Sequence, residues 1–428
     1  MNIISLKNSN FDRLYKVMLK NRKQILLEKN YKKINSIINQ VKLYGDKALV
    51  KYTNKFDNIK ISSKDLKLNA SKINKIAKKA DLKTFQIFKF AYKQIWNFHK
   101  KQYPENYKLN YKGIKSSLRW LPIDSVGLYI PGGRASYPSS LLMSAIPAII
   151  AGVKRIIICS PSYKGSFNPY FMKLIQLLKI KEVYQIGGAQ AIAAMTYGTK
   201  SIKPVNKIFG PGNSYVTLAK KQLFGQVGID SLAGPSEILV VADKKNNPEW
   251  IASDIVAQAE HDELSQCFLI TDDLRFAKQV VYQINKLIFK LNKSVIIRKS
   301  LNNYGRVFVL KNLNNVYKLI NEIAPEHVHL QCSNAKSIYS KINNAGAVFI
   351  GSYTPVVFGD YVAGTNHVIP TNGSAKFNSS LNVLDFMKRN SCVEMNKNAF
   401  KHLSKHAKKM AEVEDLLAHK LSVQIRRV

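Results

Sequence analysis

The fold of this chain is decided by residues 125–140, which read SVGLYIPGGRASYPSS. A short apolar run is followed by glycines and then by a second apolar region, which we interpret as a strand, a glycine turn and a helix. The same order recurs in EVYQIGGAQAIAAM (182–195) and in KIFGPGNSYVTLAK (207–220). Short apolar strands that alternate with helices predict an α/β fold with a mainly parallel, doubly wound sheet.

Glycines follow each of these three strands, at Gly132–Gly133, at Gly187–Gly188, and at Gly210 with Gly212. Ligands of open parallel sheets bind at the carboxyl ends of the strands. A backbone without side chains lets N–H groups approach a phosphate closely. None of the turns has the GxGxxG spacing, so each alone is weak evidence for a dinucleotide site, and the three together are better evidence.

The alternation continues through most of the chain. Further strands are predicted at 155–161, 237–243, 265–271, 294–298, 306–310, 324–332 and 345–351. Helices are predicted at 31–52 with a break at Gly45, from Ser71 to about Gln102, and at 140–153, 169–179, 251–261, 316–323 and beyond Val393. Nothing in the first 120 residues looks catalytic, and we interpret His99 as a histidine on the surface of a helix.

Charge and composition limit the possible functions. The chain has 428 residues, 66 Lys and Arg against 27 Asp and Glu, and a net charge of +39. Such a charge raises nucleic acid as a partner, but the lysines are dispersed, and Lys, Asn and Ile are plentiful together, as an A/T-rich genome would produce. We therefore expect no specific nucleic-acid partner.

The four cysteines, Cys159, Cys267, Cys332 and Cys392, form no CxxC pair, which argues against a zinc ribbon or a redox pair and suits a reducing compartment. The N-terminus has no signal-peptide pattern. The most apolar run, 141–153, is shorter than the ~18 to 20 residues that span a membrane. These features predict a cytoplasmic protein without a membrane segment.

The stretch IASDIVAQAEH (251–261) predicts a helix capped by Asn247, with Pro248 at its first position. Gln258 and His261 lie three residues apart and therefore on one face. Their amide and imidazole could bind a metal or a polar substrate, or they could simply end a surface helix. The spacing alone favours the second interpretation.

Ala324-Pro-Glu-His327 is the strongest local candidate for catalysis. Proline disfavours helix at the residue before it, so Glu326 and His327 should lie where a helix gives way to a strand. A carboxylate beside an imidazole can divide two proton transfers, although a satisfied surface pair is equally consistent with the sequence. His329 alternates with His327 and is interpreted as structural.

Two further candidates lie towards the end of the chain. Asp360, in a glycine-rich loop, could be a metal ligand or could stabilise a turn. Glu414 and His419 are five residues apart, so they share a helix face only if the helix ends near Ala418.

These motifs, in this order, resemble the histidinol dehydrogenase family. The matching stretches are 45–57, 127–148, 186–195, 207–220, 233–243, 253–262, 321–327, 358–371 and 411–420. The resemblance implies an enzyme that oxidises L-histidinol to L-histidine in the last step of histidine biosynthesis, using two NAD⁺ and one water. One departure is His329, because the family often has an acid at this position.

The resemblance also implies the functional residues. Zinc, one ion per subunit, would be held by Gln258, His261, Asp360 and, from the other subunit of a homodimer, His419. Catalysis would be carried out by Glu326 and His327. Substrate contacts would be Ser236, Gln258, His261, Glu326, His327, Asp360, Glu414 and His419. The NAD⁺ contacts would be Tyr129, Gln190 and Asn213.

The implied fold is a pair of incomplete Rossmann-like domains, similar to aldehyde dehydrogenases, with helical arms at both ends. We predict a helical arm at 1–25, an α/β domain at 26–128 plus 237–380, an NAD-binding domain at 129–236, and an arm at 381–428 that exchanges with the partner subunit. The alternatives are another NAD-linked alcohol or aldehyde dehydrogenase and, with less support, a basic nucleic-acid-binding protein.

Overall fold

A computed structural model of the protein describes residues 1–5, 15–17, 19, 30–132 and 137–426. Elements are numbered along the described chain. The first strand, β1 (Asn2–Ser5), pairs in parallel with the later strand Arg306–Val309. The predicted helical arm at 1–25 is therefore wrong for these residues, because a neighbouring strand supplies their backbone hydrogen bonds. Residues 15–17 are helical, and the remainder of the predicted arm lies outside the described residues.

The described residues between Tyr31 and the first large sheet include the helices α1 (Tyr31–Tyr44), α2 (Asp46–Phe56), α3 (Ala70–Ala77) and α4 (Leu82–Lys100). The predicted break at Gly45 is confirmed. The region predicted as helical from Ser71 to about Gln102 is divided into two helices, because Asp81 caps the second one by accepting a hydrogen bond from the Thr84 backbone at 2.7 Å.

His99 is buried, not on the helix surface as predicted. The face of α4 that carries it is covered by other parts of the chain. Its Nδ1 bonds to the Ile95 carbonyl at 2.9 Å, and its Nε2 lies 3.2 Å from the Asn366 side-chain amide. Burial lowers the pKa of His99.

A three-stranded antiparallel sheet was missed by the sequence analysis. It contains β2 (Tyr107–Tyr111), β3 (Ile114–Pro122) and, from the far end of the chain, the strand Met387–Met395. All five residues of β2 are exposed, so no buried face imposes an apolar alternation on its sequence. Its pairing partners are also partly remote in sequence, which a local pattern cannot reveal.

The first parallel sheet has the order β6-β5-β4-β7-β8. Its strands are β4 (Ser125–Tyr129), β5 (Arg155–Cys159), β6 (Glu182–Tyr184), β7 (Lys207–Phe209) and β8 (Gly228–Ile229). Its helices are α5 (Pro138–Ile150), α6 (Pro169–Leu177), α7 (Gly188–Tyr197) and α8 (Ser214–Leu223). Apolar residues of α1 to α4 pack in the cores on this sheet.

The second parallel sheet has six strands, in the order β1-β11-β10-β9-β12-β13. Its later strands are β9 (Glu237–Ala242), β10 (Gln266–Thr271), β11 (Arg306–Val309), β12 (His327–Gln331) and β13 (Ala347–Ile350). Its helices are α9 (Pro248–Ala259), α10 (Leu274–Ile288), α11 (Ser294–Tyr304), α12 (Val316–Ile323) and α13 (Ala335–Tyr339).

Residues 294–298 begin α11 and do not form the predicted strand. The β-branched run SVIIR suggested a buried strand, but Ile297 and Leu301 are the buried residues, four positions apart on one face of a helix. By contrast, α12 has the bounds that the sequence predicted, and Asn247 caps α9 by accepting from the Glu249 backbone, also as predicted.

The C-terminal region contains α14 (Val357–Tyr361), β14 (Met387–Met395), α15 (Lys397–Val413) and α16 (Leu417–Gln424). Short 3₁₀ helices lie at Ser63–Asp65, Ser374–Lys376 and Val383–Phe386. Among the described residues, none of the helices combines the length and the apolar character needed to cross a membrane.

Two parallel sheets covered by helices confirm the predicted α/β class. In the first sheet the chain starts at the inner strand β4 and builds outwards in both directions, and from β9 onwards it does the same in the second sheet, whose edge is completed by the N-terminal β1; this is the doubly wound arrangement. The predicted domain boundaries stay a prediction. In the structure, the helices between Tyr31 and Lys100 pack on the first sheet, whereas the predicted division grouped them with 237–380.

Candidate functional site

Glu326 and His327 lie at the amino end of β12, next to the amino end of β9. Helix α12 stops at Ala324, which adopts a left-handed conformation (φ 47°, ψ 60°) and turns the chain into Pro325. Both side chains are buried, with exposed fractions of 7% and 5% for the two residues. The first residue of β9, Glu237, contacts both.

Reciprocal hydrogen bonds fix this pair. The backbone N–H of Glu237 donates to Glu326 Oε2 at 2.7 Å, and the backbone N–H of Glu326 donates to Glu237 Oε2 at 3.3 Å. His327 Nδ1 lies 2.9 Å from the Glu237 carbonyl, which can only accept, so Nδ1 carries a hydrogen. The other ring nitrogen, Nε2, faces Asp360.

Asp360 and His367 complete the described cluster around His327. Asp360 lies on the short helix α14. The prediction that it lies in a loop is therefore wrong. Its Oδ1 is 3.9 Å from His327 Nε2. His367 Nδ1 donates to the Asp360 carbonyl at 2.9 Å, and its Nε2 is 3.2 Å from Ser140 Oγ. Sequence analysis assigned no role to His367, because only the fold of the loop brings this residue to the cluster.

Burial and the neighbouring carboxylates shift the pKa values of the two histidines in this cluster. Burial lowers the pKa of His327, but the carboxylates of Glu326 and Asp360 outweigh it and raise that pKa to about 9. Burial is the largest influence on His367 and lowers its pKa. In the protein alone, the two carboxylates therefore hold a proton on His327 at neutral pH.

Gln258 and His261 lie at and just beyond the end of α9. Gln258 is only 4% exposed, and its side chain makes no hydrogen bond within the described part of the chain. His261 is exposed. Burial raises the pKa of Tyr361 on α14, and the carboxylates of Asp360 and of Glu260, the residue that follows α9, raise it further.

The metal-ligand set predicted from the resemblance is incomplete within one chain. Across the residues that the structure describes, no group of three or more His, Cys, Asp and Glu side chains could hold a metal ion. Gln258, His261 and Asp360 nevertheless offer the oxygen and nitrogen donors of a catalytic zinc site. The buried Gln258 amide, which has no protein partner among these residues, fits such a role.

Glu414 and His419 lie in the C-terminal tail, on either side of a helix break. Glu414 ends α15, Asp415 has a positive φ of 57°, and His419 belongs to α16. One helix ends at Val413 and the next begins at Leu417, so the two residues do not belong to one continuous helix. Both side chains are exposed, and no contact joins either of them to Glu326, His327 or Asp360 among the described residues of this chain.

The predicted NAD⁺ residues lie at the carboxyl ends of the first sheet. Tyr129 ends β4, and its hydroxyl accepts a hydrogen bond from the Gly188 backbone at 3.1 Å. Burial raises the pKa of Tyr129 to about 12. Asn213 caps α8 by accepting from the backbone of Tyr215 and Val216 at 3.1 and 3.2 Å. The glycine turn before α5 is described only as far as Gly132, so its Gly133 lies outside the described residues.

Several buried polar atoms near these strand ends have no partner among the described residues. They are Gln190 Oε1, Ser160 Oγ, Ser162 Oγ and Asp57 Oδ2. Buried polar groups are normally hydrogen-bonded, so a polar ligand or water is expected here. The acceptor oxygens among them suit the hydroxyl groups of a dinucleotide. The N-terminus of α7 beside them suits its phosphates.

The sequence of the chain also matches known proteins. A family model described as histidinol dehydrogenase matches residues 20–427. The chain belongs to the histidinol dehydrogenase family. The resemblance inferred from the sequence motifs is thereby confirmed.

Similar members of the histidinol dehydrogenase family span almost the whole chain. Histidinol dehydrogenase 1 of Trichormus variabilis is 45% identical over 396 residues, which cover 92% of this chain and 91% of that protein. Histidinol dehydrogenase of Pelagibacter ubique is 43% identical over 427 residues, covering 99% and 98%. The crystal structure of histidinol dehydrogenase from Elizabethkingia anophelis superimposes with a TM-score of 0.90 at 34% identity, covering 100% of this chain and 98% of that one.

Neither cysteine within the two parallel sheets of this histidinol dehydrogenase family member is suited to act as a nucleophile. Cys159 and Cys267 are fully buried in β5 and β10. Burial raises the pKa of both thiols, that of Cys267 to about 12. A thiolate nucleophile needs a lowered pKa and an accessible position, and neither residue has them.

A buried ion pair, unforeseen from the sequence, holds the loop that leads to Asn213. Lys220 and Asp230 pair directly, and both are nearly inaccessible. Lys220 Nζ also donates to the Gly210 carbonyl at 3.1 Å, and Asp230 Oδ2 accepts from the Gly210 backbone at 2.7 Å. Gly210 has φ +111°, and a Cβ there would collide with the Tyr129 carbonyl, so glycine is required.

A polar cavity of about 570 Å³ lies next to Gln185, the residue that follows β6 of the first sheet. Its lining includes Asn58, Lys60, Lys72, Lys164 and Gln185. It is separate from the cluster around His327. Next to Asn58, Asp57 has a pKa that burial raises to about 6.

We expect Asp57→Asn to stabilise the protein above pH 6. The pKa of Asp57 is higher in the folded state than in the unfolded state, so stability is lost as the pH rises from about 4 to 6 and the carboxyl group ionises in the fold. After allowance for solvent screening, the gain should be about 1 kcal/mol at pH 8 and vanish below pH 4. Urea unfolding without nucleotide at both pH values measures it, and an equal gain at both would contradict the assignment.

Proposed function

We propose that the protein catalyses the NAD⁺-dependent oxidation of L-histidinol to L-histidine through bound L-histidinaldehyde, the last step of histidine biosynthesis. The observation that carries this proposal is the buried Glu326–His327 pair beside Asp360, in a chain that belongs to the histidinol dehydrogenase family. A carboxylate 3.5 Å from an imidazole supplies two proton acceptors for a reaction that releases protons at two stages.

The reaction would have two stages. In the first, His327 Nε2 accepts the alcohol proton while the carbinol hydride moves to one NAD⁺, which gives the aldehyde and NADH. In the second, Glu326 accepts a proton from the water whose hydroxide adds to the aldehyde. The hydride of this adduct then moves to a second NAD⁺, and the resulting carboxylic acid loses its proton to solvent to give the carboxylate.

The orientation of His327 suits this assignment. Because Nδ1 is bonded to the Glu237 carbonyl, Nε2 is the nitrogen left to face the substrate. The raised pKa of His327 must be offset before it can act as a base.

Zinc would be held by Gln258, His261 and Asp360 of one subunit and by His419 supplied by the partner subunit. When bound, zinc would contribute a positive charge that fixes the imidazole and amine of histidinol and counteracts the hold of Asp360 on the His327 proton. Ser236, which directly precedes β9, and Glu414 would add substrate contacts. Tyr129, Gln190 and Asn213 would contact NAD⁺, and the unpartnered Gln190 Oε1 supports this.

A homodimer with shared sites is supported by the tail. Helices α15 and α16 expose apolar side chains that include Val413, Leu417, Leu421 and Ile425. Contiguous exposed apolar surface marks an interaction site, and the exposed Glu414 and His419 lie on the same segment. The reduced cysteines and the biosynthetic reaction support a cytoplasmic location, with no membrane or specific nucleic-acid partner.

A chelator-sensitive assay tests the proposal. Histidinol with NAD⁺ should yield two NADH per histidinol consumed. Removal of the metal with a chelator should lower the rate by at least about 100-fold, and added zinc should restore it. NADH production that persists without metal, or that occurs with other alcohols and not with histidinol, would favour another alcohol or aldehyde dehydrogenase activity on the same fold.

A further inference from the structure

A second buried histidine lies behind the Glu326–His327 pair. His329 is on the same face of β12 as His327, because side chains alternate along a strand, and it is completely buried. Its Nε2 lies 3.0 Å from the Gly351 carbonyl at the end of β13. Its Nδ1 lies 3.1 Å from Asp254 Oδ2 on helix α9.

Three polar groups surround the ring of His329. Besides the Gly351 carbonyl and the Asp254 carboxylate, the side-chain nitrogen of Gln331 lies 3.1 Å from His329 Nδ1. The side-chain N–H₂ of Gln331 also donates to the same Asp254 oxygen at 2.9 Å. The side chain of Asp254 is only 11% exposed, so these contacts form a buried polar connection between the two residues and Gln331.

The contact between His329 and Asp254 connects two of the elements that carry the predicted site residues, β12 and α9. Asp254 is one helical turn before Gln258 on α9, and therefore on the same face. His329 is two residues after His327 on β12. The Gly351 bond attaches the same ring to the end of β13, and Phe349 packs edge-on against it at 6.5 Å.

We propose that the His329–Asp254 pair is a positioning device that holds α9 at a set distance from β12 and, through Gly351, from the end of β13, so that Gln258 and His261 meet Asp360, on the α14 helix that follows β13, at a distance suited to one metal ion. The inference rests on the proposed function for the identity of that metal. A carboxylate at position 329 has no hydrogen to donate to the Gly351 carbonyl, so this connection depends on histidine. Neither residue touches the substrate or the reacting atoms.

Zinc affinity of the full-length protein tests the proposal. The metal-stripped protein is titrated with zinc in competition with a chromophoric chelator. His329→Leu should weaken zinc binding by about 10- to 100-fold, as loss of an outer-shell partner does. Asp254→Asn, which keeps an acceptor for Nδ1 but removes the charge, should cause a smaller loss. If His329→Leu does not fold, His329→Gln takes its place.

The matched control is Val280→Ala on α10. Val280 is buried in the apolar core that α9 shares, and no hydrogen bond or ion pair joins it to His329 or Asp254 among the described residues. The substitution should therefore lower the melting temperature through lost packing and leave the polar contacts of α9 in place. It should bind zinc like the wild type. An equal loss of zinc affinity in this control would show a general effect of stability and overturn the proposal.

A second measurement does not depend on metal. In the metal-free protein, hydrogen exchange of the backbone amides of α9 should be faster in His329→Leu than in Val280→Ala. If the wild type binds no zinc but this difference is found, the proposed metal fails and the positioning role stands. Unchanged exchange in α9 together with unchanged zinc affinity would overturn the positioning role.

Discussion

Glu326→Gln should reduce the oxidation of supplied histidinal by about 10²- to 10⁴-fold, the usual contribution of a positioned proton acceptor. The amide cannot take the proton of the attacking water. Its carbonyl oxygen can still accept the 2.7 Å hydrogen bond from the Glu237 backbone, so the local structure should persist. The first hydride transfer, for which His327 is the proposed base, should slow by less than about tenfold.

Single-turnover measurements of NADH formation, started either from histidinol or from histidinal, separate the two stages. Glu322→Gln is the matched control, because this acid lies on α12 four residues before Glu326 and accepts a hydrogen bond from Tyr15 instead. It should leave both stages unchanged. Equal losses in the two stages of Glu326→Gln would refute the division of roles between Glu326 and His327.

Two inactive variants should restore activity when their subunits are mixed. His261→Asn and His419→Asn each remove one proposed zinc ligand, so each homodimer should lose nearly all activity. In a mixed dimer, one of the two sites combines an intact His261 with an intact His419. Random reassociation should therefore recover about a quarter of wild-type activity, because half of the dimers are mixed and half of their sites are complete.

The control for this experiment is a mixture of His261→Asn with Gln258→Ala. Both ligands are proposed to come from the same subunit, so neither site of the mixed dimer is complete and no activity should return. Differently tagged subunits report how much mixed dimer has formed. Absence of recovery in the first mixture, despite mixed dimers, would exclude a site shared in this way.

Local patterns were sufficient to predict much of the fold. Helix α12 and the start of α9 follow from apolar spacing and from Asn247 with Pro248, which act within a few residues. The strands of both parallel sheets alternate with helices in sequence, so each unit leaves its own signal. The strand pairing of β3 with Met387–Met395 left no such signal, because those residues meet only after the intervening chain has folded.

Part of the candidate site could also be predicted, because some of its residues are close together in the sequence. Glu326 and His327 are adjacent in sequence, and their chemistry can be recognised there. Their contacts with Glu237 and Asp360 come from distant segments that only the fold brings together. The metal ligands were assigned by resemblance, since the spacing of Gln258 and His261 is equally compatible with a surface helix. The burial of Gln258 excludes that simpler interpretation for this residue alone.

His327 is oriented by a hydrogen bond that its Nδ1–H donates to the main-chain carbonyl of Glu237. Every genetically encoded residue at position 237 has this carbonyl, so scanning mutagenesis of the surrounding side chains cannot delete the bond. Only chemical semisynthesis with a weaker acceptor, such as an ester in place of the amide after residue 237, would address it directly. The tautomer of this histidine is therefore protected against point mutation in a way that a side-chain orienting group would not be.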